Sequence, residues 1–179
     1  MPSENILRFW FDELSPAQHF AQDDKVDDLI RTRFGDTWEA ARLGELWTWR
    51  DSARGRLAEI LVLDQFSRNI HRGSAQAFAQ DAQALTLAQE LVASRRDAEL
   101  PLEQRAFAYM PYMHSESLTI HAQAMALFSQ PGLEHNLQFE QRHQEILARF
   151  GRYPHRNAAL GRNSTPQETA FLAQPGSSF

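Results

Sequence analysis

The sequence has no cysteine, no long apolar run and no excess of basic residues, and each absence excludes a class of protein. Without cysteine there is no disulfide framework, no thiolate-bound zinc or iron–sulfur cluster and no cysteine nucleophile. No run approaches the roughly 18 apolar residues that cross a bilayer, and the first five residues lack the basic and apolar regions of a secretion signal. We therefore expect a cytoplasmic protein that does not bind membranes.

The charged residues argue against nucleic-acid binding and against a bound metal. The formal net charge at pH 7 is −5, whereas binding to a phosphate backbone depends on an excess of Lys and Arg. A metal would need His, Asp and Glu ligands, but His114, Glu116 and His121 match no standard ligand spacing, and no His-Glu-x-x-His motif is present. We expect no metal and no other cofactor.

The composition is that of an ordinary globular protein. Hydrophobic residues make up 42% of the chain and charged residues 23%, so the chain should bury enough apolar surface to fold without a partner. A length of 179 residues favours one domain over two very small ones. We predict a single all-α domain over residues 1–173 and a frayed tail over residues 174–179.

Helical periodicity runs along almost the whole chain. Apolar residues recur at spacings of three and four, and Gly, Pro and polar clusters interrupt them. Gly35 and Gly44 are the expected ends of two helices, because glycine commonly follows a helix C-terminus. The pattern predicts helices near residues 3–11, 24–34, 36–43, 52–66, 75–94, 101–111, 115–128, 133–150 and 166–172.

About eight or nine helices with short connections predict an all-α, tetratricopeptide-like stack of antiparallel helical hairpins, with no sheet. A clean repeat of about 34 residues is not present, so periodicity alone does not choose between a solenoid and a bundle.

Two polar residues occupy positions where the helical pattern calls for apolar ones. Asp64 follows Leu57, Ile60 and Leu61 at spacings of three and four, so its carboxylate should be partly buried. A buried carboxylate needs a cation, for which Arg68 one turn later is a candidate. His143 repeats the pattern on a later helix. Each residue has two interpretations. Asp64 either fixes a helix end through an ion pair or binds a ligand, and His143 is either a core residue with its hydrogen bonds made inside the protein or a functional group.

The segment from Met110 to Glu116 places a histidine, a hydroxyl and a carboxylate at a helix junction. Ser115 as an N-cap, with Glu116 in the first turn of the next helix, would explain two of the three by ordinary helix chemistry. Only His114 is then left without a structural role. A Ser–His–acid hydrolase is disfavoured, because adjacent residues rarely converge on one reacting atom and no Gly-x-Ser-x-Gly elbow is present.

Four arginines lie between residues 149 and 162, in a stretch without an acidic residue. They either balance acidic groups elsewhere in the fold, including Asp64, or present forked donors to a carboxylate or phosphate ligand. Phe150, Tyr153 and Leu160 between them should hold the segment against the core.

Three segments together resemble a known family: residues 63–69 (LDQFSRN), 112–116 (YMHSE) and 148–157 (ARFGRYPHRN). They are similar to the bacterial family catalogued as domain of unknown function 924, and the likeness extends over nearly the whole chain. The resemblance implies a tetratricopeptide-like helical fold and an unassigned activity. It also carries over a polar signature, without assigned roles, at Asp64, Gln65, Arg68, Asn69, His114, Glu116, His143, Arg149, Arg152, His155, Arg156 and Asn157.

Three functions fit these observations. The polar signature is a pocket that binds a small anionic molecule, with or without catalysis; or the helices form a scaffold that grips a peptide or partner protein on a concave face; or the polar groups only join helices. The first is favoured, because the unusual residues cluster in three segments and two of them point inward. It predicts that Asp64, His114 and His143 share one neighbourhood bordered by arginines of residues 149–156.

Overall fold

The chain is all-α, as the sequence predicts, in a computed structural model that describes residues 1–177. No residue in that range lies in a β-strand. The α-helices are α1 (Ser3–Arg8), α2 (Pro16–Phe20), α3 (Asp24–Arg42), α4 (Ala53–Leu61), α5 (Ser67–Ile70), α6 (Asp81–Ala93), α7 (Leu102–Met113), α8 (Leu118–Phe128), α9 (Glu134–Phe150) and α10 (Pro166–Leu172). Two π-helical turns, Phe9–Glu13 and Val62–Phe66, continue α1 and join α4 to α5. Four short 3₁₀ helices are Trp47–Asp51, Ala75–Ala77, Arg96–Glu99 and Pro154–Arg156.

Helix α4 is the centre of the packing. It contacts α1, α6 and α7, while α6 packs against α7, α7 against α8 and α8 against α9. In a solenoid each repeat contacts only its neighbours. The later helices follow that rule, but the contact between α1 and α4 is typical of a bundle. The tetratricopeptide-like arrangement stays a prediction.

The hydrophobic core positions the second π turn. Phe9, Phe34 and Phe66 are buried and meet with ring centroids 4.9 to 6.0 Å apart. They belong to the first π turn, α3 and the second π turn, so their contacts fix these three elements relative to each other. Burial of each such ring stabilises the fold by roughly 1.5–3 kcal/mol. The residues that the second π turn presents are therefore held on a rigid support.

The predicted helix end at Gly35 is wrong. Helix α3 continues through Gly35 to Arg42, and its buried face runs on from Phe34 to Trp38 and Ala41. A glycine inside a helix costs only about 0.5–1 kcal/mol relative to alanine. Packing of the two large side chains on either side of it outweighs that cost.

The predicted cap at Ser115 is also wrong. Helix α7 runs through Pro111 to Met113, and α8 begins only at Leu118 with Ser117 at the N-cap position. Glu116 therefore lies in the connection and not in a first helical turn. Its carboxylate has another use, described below.

Within residues 1–177 no helix is long and apolar enough to span a membrane. The predicted tail, 174–179, extends beyond the described residues. In its described part, the hydroxyl of Ser177 donates to the carbonyl oxygen of Leu172 at 3.1 Å.

Candidate functional site

The second π turn presents a buried carboxylate. Asp64 lies in this turn and only 1% of its side chain is exposed, as its spacing from Leu57, Ile60 and Leu61 predicts. A π turn widens the helix by one residue, and such turns occur frequently at functional sites. Here it turns Asp64 and the neighbouring Gln65 toward the end of α7.

Three side chains compensate the carboxylate of Asp64. Nδ1 of His114 lies 2.7 Å from Oδ1, Nε2 of Gln65 donates to Oδ2 at 2.6 Å, and Nη1 of Arg68 lies 3.0 Å from Oδ1. Burial alone would raise the pKa of Asp64, but the charge of Arg68 and the contacts with His114 and Gln65 outweigh burial and lower it. Asp64 is therefore an anion, and Nδ1 of His114 must carry the proton in their hydrogen bond.

His114 directly follows α7 and has one ring nitrogen left for other chemistry. Its side chain is 17% exposed, and the hydrogen bond that the ring makes with residues 1–177 is at Nδ1, not at Nε2. Burial, opposed by the charge of Asp64, lowers the pKa of His114. At neutral pH the ring is consequently uncharged, with the proton on Nδ1 and a lone pair on Nε2.

Two arginines meet beside this pair around a carboxylate that sequence reasoning missed. Asp81 accepts two hydrogen bonds from Arg68, at 2.9 and 3.0 Å, and one from Nη1 of Arg156 at 3.2 Å. Nη2 of Arg156 donates to the carbonyl oxygen of His114 at 2.9 Å. Two positive charges, on Arg68 and Arg156, thus balance two negative charges, on Asp64 and Asp81. Asp81 is the first residue of α6, where an acidic residue is ordinary helix chemistry, so the sequence carried no special signal.

Arg156 is held between two aromatic rings. Its guanidinium carbon lies 4.7 Å from the ring centre of Phe78 and 4.8 Å from that of Tyr153. These two cation–π contacts stabilise the charged group and help to shield it from water. Nε of Arg156 is buried without a hydrogen-bond acceptor in the described part of the chain.

His143 and His155 also contact the ring of Tyr153. Their ring centroids are 5.6 and 5.7 Å from that of Tyr153, and Nδ1 of His143 donates to the carbonyl oxygen of Phe139 at 2.8 Å. Burial lowers the pKa of His143 to about 3. Burial, with the charges of Arg156 and Arg68, lowers the pKa of His155 to about 4. Both histidines are therefore neutral neighbours of the cluster.

A second buried histidine–carboxylate pair adjoins Tyr153. Nδ1 of His121 lies 2.5 Å from Oε1 of Glu140, and both side chains are fully buried. Nε2 of His121 contacts the carbonyl oxygen of Ser115 at 2.8 Å and the hydroxyl of Tyr153 at 2.9 Å. Burial raises the pKa of Glu140. Sequence reasoning missed this pair, although its inward positions on α8 and α9 could have revealed it as they revealed Asp64.

Glu116 ties the α7–α8 connection to the segment after α9. Its carboxylate accepts from the backbone N–H of Tyr153 at 2.7 Å and from the two Nη atoms of Arg162 at 2.7 and 2.9 Å. Burial alone would raise the pKa of Glu116, but these hydrogen bonds outweigh burial and lower it. Glu116 thus holds Tyr153 in place beside His121 and Arg156.

Four residues of the signature have their contacts away from the His114–Asp64 pair. Asn69 donates to Asp27 at 2.7 Å, and Arg149 stacks on Phe150 at 4.7 Å. Arg152 and Asn157 both bind Glu168, at the start of α10. The group around His114 therefore consists of Asp64, Gln65, Arg68, Phe78, Asp81, His114, Tyr153 and Arg156, which we call the His114 cluster.

Within residues 1–177 no three His, Asp or Glu side chains are placed to hold one metal ion. The fold and the cluster together define an all-α protein with a histidine–carboxylate pair beside two arginines, whose charges Asp64 and Asp81 balance.

The family follows from comparison with known proteins. The chain belongs to the family described as bacterial protein of unknown function (DUF924), whose model matches residues 6–176. It is also similar to a solved structure, the protein of unknown function ATU0120 from Agrobacterium tumefaciens, with 35% sequence identity and a TM-score of 0.90 over 96% of each chain. No curated protein matches this chain. Family and fold are thereby established, and neither carries an assigned activity.

Proposed function

We propose that this protein binds a small anionic molecule at the His114 cluster, and that Nε2 of His114 accepts a proton from that molecule. One observation carries the proposal. A buried carboxylate fixes Nδ1 of His114 at 2.7 Å, and this is the one hydrogen bond of the partly exposed His114 ring among residues 1–177, which leaves Nε2 open to a ligand.

This arrangement suits proton transfer. A carboxylate on Nδ1 selects the tautomer with a lone pair on Nε2, and it stabilises the imidazolium that forms when Nε2 takes up a proton. Gln65 and Arg68 fix Asp64 in turn, so the ring orientation is set before a ligand arrives. The lowered pKa of His114 keeps Nε2 available as a base at neutral pH.

The positions of the two arginines favour an anionic ligand. Arg68 and Arg156 lie next to His114, and Arg156 retains one buried N–H without an acceptor. A guanidinium offers forked donors that match carboxylate and phosphate oxygens.

A thermal-shift screen with phosphorylated and carboxylated metabolites tests the proposal. We expect at least one of them to raise the melting temperature progressively with the logarithm of its concentration above Kd; at one hundred times Kd, binding stabilises the fold by about 2.7 kcal/mol. The discriminating variant is His114→Asn, because the Asn amide nitrogen can replace Nδ1 as donor to Asp64 while Nε2 is removed. We expect it to weaken the response at least about tenfold.

The matched control is His135→Asn, which changes an exposed histidine of α9 and should respond like the wild type. If His114→Asn also responds like the wild type, the ligand binds elsewhere. If no anion stabilises the protein, the proposal fails and the scaffold interpretation takes its place.

A further inference from the structure

We infer that Arg68 and Arg156 form a recognition site for the carboxylate of a small organic acid, and that Asp81 fills this site from within the chain, so that the acid must displace Asp81. The inference rests on the proposed function and specifies its ligand class and the point where the ligand's charge is bound.

The contacts of Asp81 are those of a bound carboxylate ligand. Arg68 binds both of its oxygens, at 2.9 and 3.0 Å, and Arg156 binds Oδ2 at 3.2 Å. A paired contact with one guanidinium and a single contact with a second is a geometry in which arginines recognise free carboxylates. The site is therefore already shaped for a carboxylate with one negative charge.

The two carboxylates of the cluster differ in how easily they can leave. Asp64 is 1% exposed and has His114, Gln65 and Arg68 as partners. Asp81 is 18% exposed, and its carboxylate binds only the two arginines among the described residues. It also lies at the first residue of α6, just after an irregular connection, so its side chain can rotate toward water without unwinding a helix. Asp81 is the carboxylate that an incoming acid can replace.

Arg156 supplies an independent sign that Asp81 does not complete the site. Its side chain is more than nine-tenths buried, yet its Nε–H has no acceptor in the described residues. An unsatisfied buried donor costs roughly 1–3 kcal/mol and calls for an explanation. A free acid, unlike Asp81, is not tied to the α6 backbone and can approach the guanidinium from a different direction.

The location links this site to the proton acceptor. Nη2 of Arg156 binds the carbonyl oxygen of His114 at 2.9 Å, and Arg68 binds Asp64, the partner of the His114 ring. An acid bound by its carboxylate to the two arginines would thus lie close to His114 and its partner Asp64. Charge is conserved in the exchange, because one carboxylate replaces another between the same two cations.

Acetate is the probe that tests the inference, with sodium chloride at the same ionic strength as reference. Asp81→Ala removes the internal carboxylate and leaves space for acetate between the arginines. We expect acetate to raise the melting temperature of Asp81→Ala with a half-saturating concentration at least tenfold lower than for the wild type. Adding Arg156→Gln to Asp81→Ala should abolish the gain.

The control is Asp36→Ala, which removes an exposed carboxylate from α3 and should respond to acetate like the wild type. Asp81→Asn keeps the size of the side chain without its charge, and serves if Asp81→Ala does not fold; it should bind acetate more tightly than the wild type. Equal acetate responses of wild type, Asp36→Ala and the Asp81 variant would overturn the inference.

The outcomes separate this inference from the proposed function. Acetate binding is measured with His114 intact and does not depend on proton transfer. An acetate gain in Asp81→Ala, together with a metabolite response unaffected by His114→Asn, would support the carboxylate site and contradict the proton acceptor. The opposite result would be no acetate gain in Asp81→Ala together with a metabolite response that His114→Asn weakens. It would support His114 as the proton acceptor and contradict the displacement of Asp81 by the ligand.

Discussion

At the scale of single residues, burial of histidine links the stability of this protein to pH. His143 has a pKa of about 3 in the folded chain, because burial disfavours its charged form. In the unfolded chain its pKa returns to the ordinary value of 6.5. Between these values the unfolded state binds one more proton than the folded state, so stability is fully present above pH 6.5 and falls as the pH approaches 3.

We expect His143→Leu to flatten this acid dependence. One titrating group contributes a slope of at most about 1.4 kcal/mol per pH unit, and leucine removes it. Urea unfolding between pH 6.5 and pH 4 gives the free energy of unfolding at each pH. His135→Leu, at an exposed position of the same helix, is the control and should keep the wild-type slope. An unchanged slope in His143→Leu would show that another group causes the acid sensitivity.

Some of these residues could be predicted from the sequence and others could not. Asp64 was recognisable because the helical spacing places it on the same face as buried leucine and isoleucine side chains, and its partner Arg68 lies one turn away on the same helix. Asp81 and Arg156 are 75 residues apart in sequence. Their contact depends on how α6 packs near the segment after α9, which no local pattern encodes.

At the scale of elements, two glycines within helices have different surroundings, and these surroundings decide whether a Cβ could be added. Gly35 lies within α3, and a Cβ there would meet no atom within 4 Å in the described part of the chain. Gly55 lies within α4, where a Cβ would come 2.1 Å from the carbonyl oxygen of Trp49. That oxygen belongs to backbone and cannot move without disturbing the turn before α4.

We expect opposite effects from alanine at these two positions. Gly35→Ala should raise the free energy of unfolding by about 0.5–1 kcal/mol, because alanine lowers the backbone entropy lost on folding. Gly55→Ala should lower it by roughly 1–3 kcal/mol, because the Cβ overlaps a backbone oxygen. Chemical denaturation of both variants measures the difference, and each is the control for the other. Equal changes of the same sign would contradict the predicted role of the Trp49 carbonyl.

Helix starts with a capping side chain were easier to predict than helix ends or π turns. Ser52 accepts a hydrogen bond from the N–H of Gly55, and Thr165 forms a capping box with Glu168; these caps lie within one residue of the predicted helix starts at residues 52 and 166. The predicted helix end at Gly35 was wrong, because glycine occurs both within helices and directly after their C-termini. The π turn at Val62–Phe66 has all five residues buried, so no exposed face marks the change in helix type and the sequence carries no clear signal of it.

At the scale of the whole molecule, the chain after α9 is attached mainly through polar contacts. Tyr153 is its fully buried aromatic side chain, whereas the N–H of Tyr153 and the side chains of Arg156 and Arg162 bind His114 and Glu116 in the α7–α8 connection. Polar attachments of this kind stabilise less than apolar burial and open more readily. The segment 151–177 should therefore be less stable than α4.

We expect Glu116→Ala to loosen this segment selectively. The variant removes the acceptor of the Tyr153 N–H and the ionic partner of Arg162, and charged hydrogen bonds of this kind contribute on the order of 1.5–3 kcal/mol. Hydrogen exchange should become at least about tenfold faster over residues 151–162 and stay unchanged in α4. Glu145→Ala, on the exposed face of α9, is the matched control. Exchange that accelerates equally in α4 would show a global loss of stability.

The polar attachment of the last segment also has a consequence for biosynthesis. A ribosome releases the N-terminal part of a chain first, and early helices can pack before the end has been made. Asp64 and His114 can pair once α7 has folded, but Tyr153 and Arg156 arrive only after α9 is complete. A nascent chain that stops at residue 150 therefore has the histidine–carboxylate pair without the arginine that donates to the backbone carbonyl oxygen of His114. The His114 cluster is completed only after residue 156 has been translated, when helices α1 to α9 have already been made.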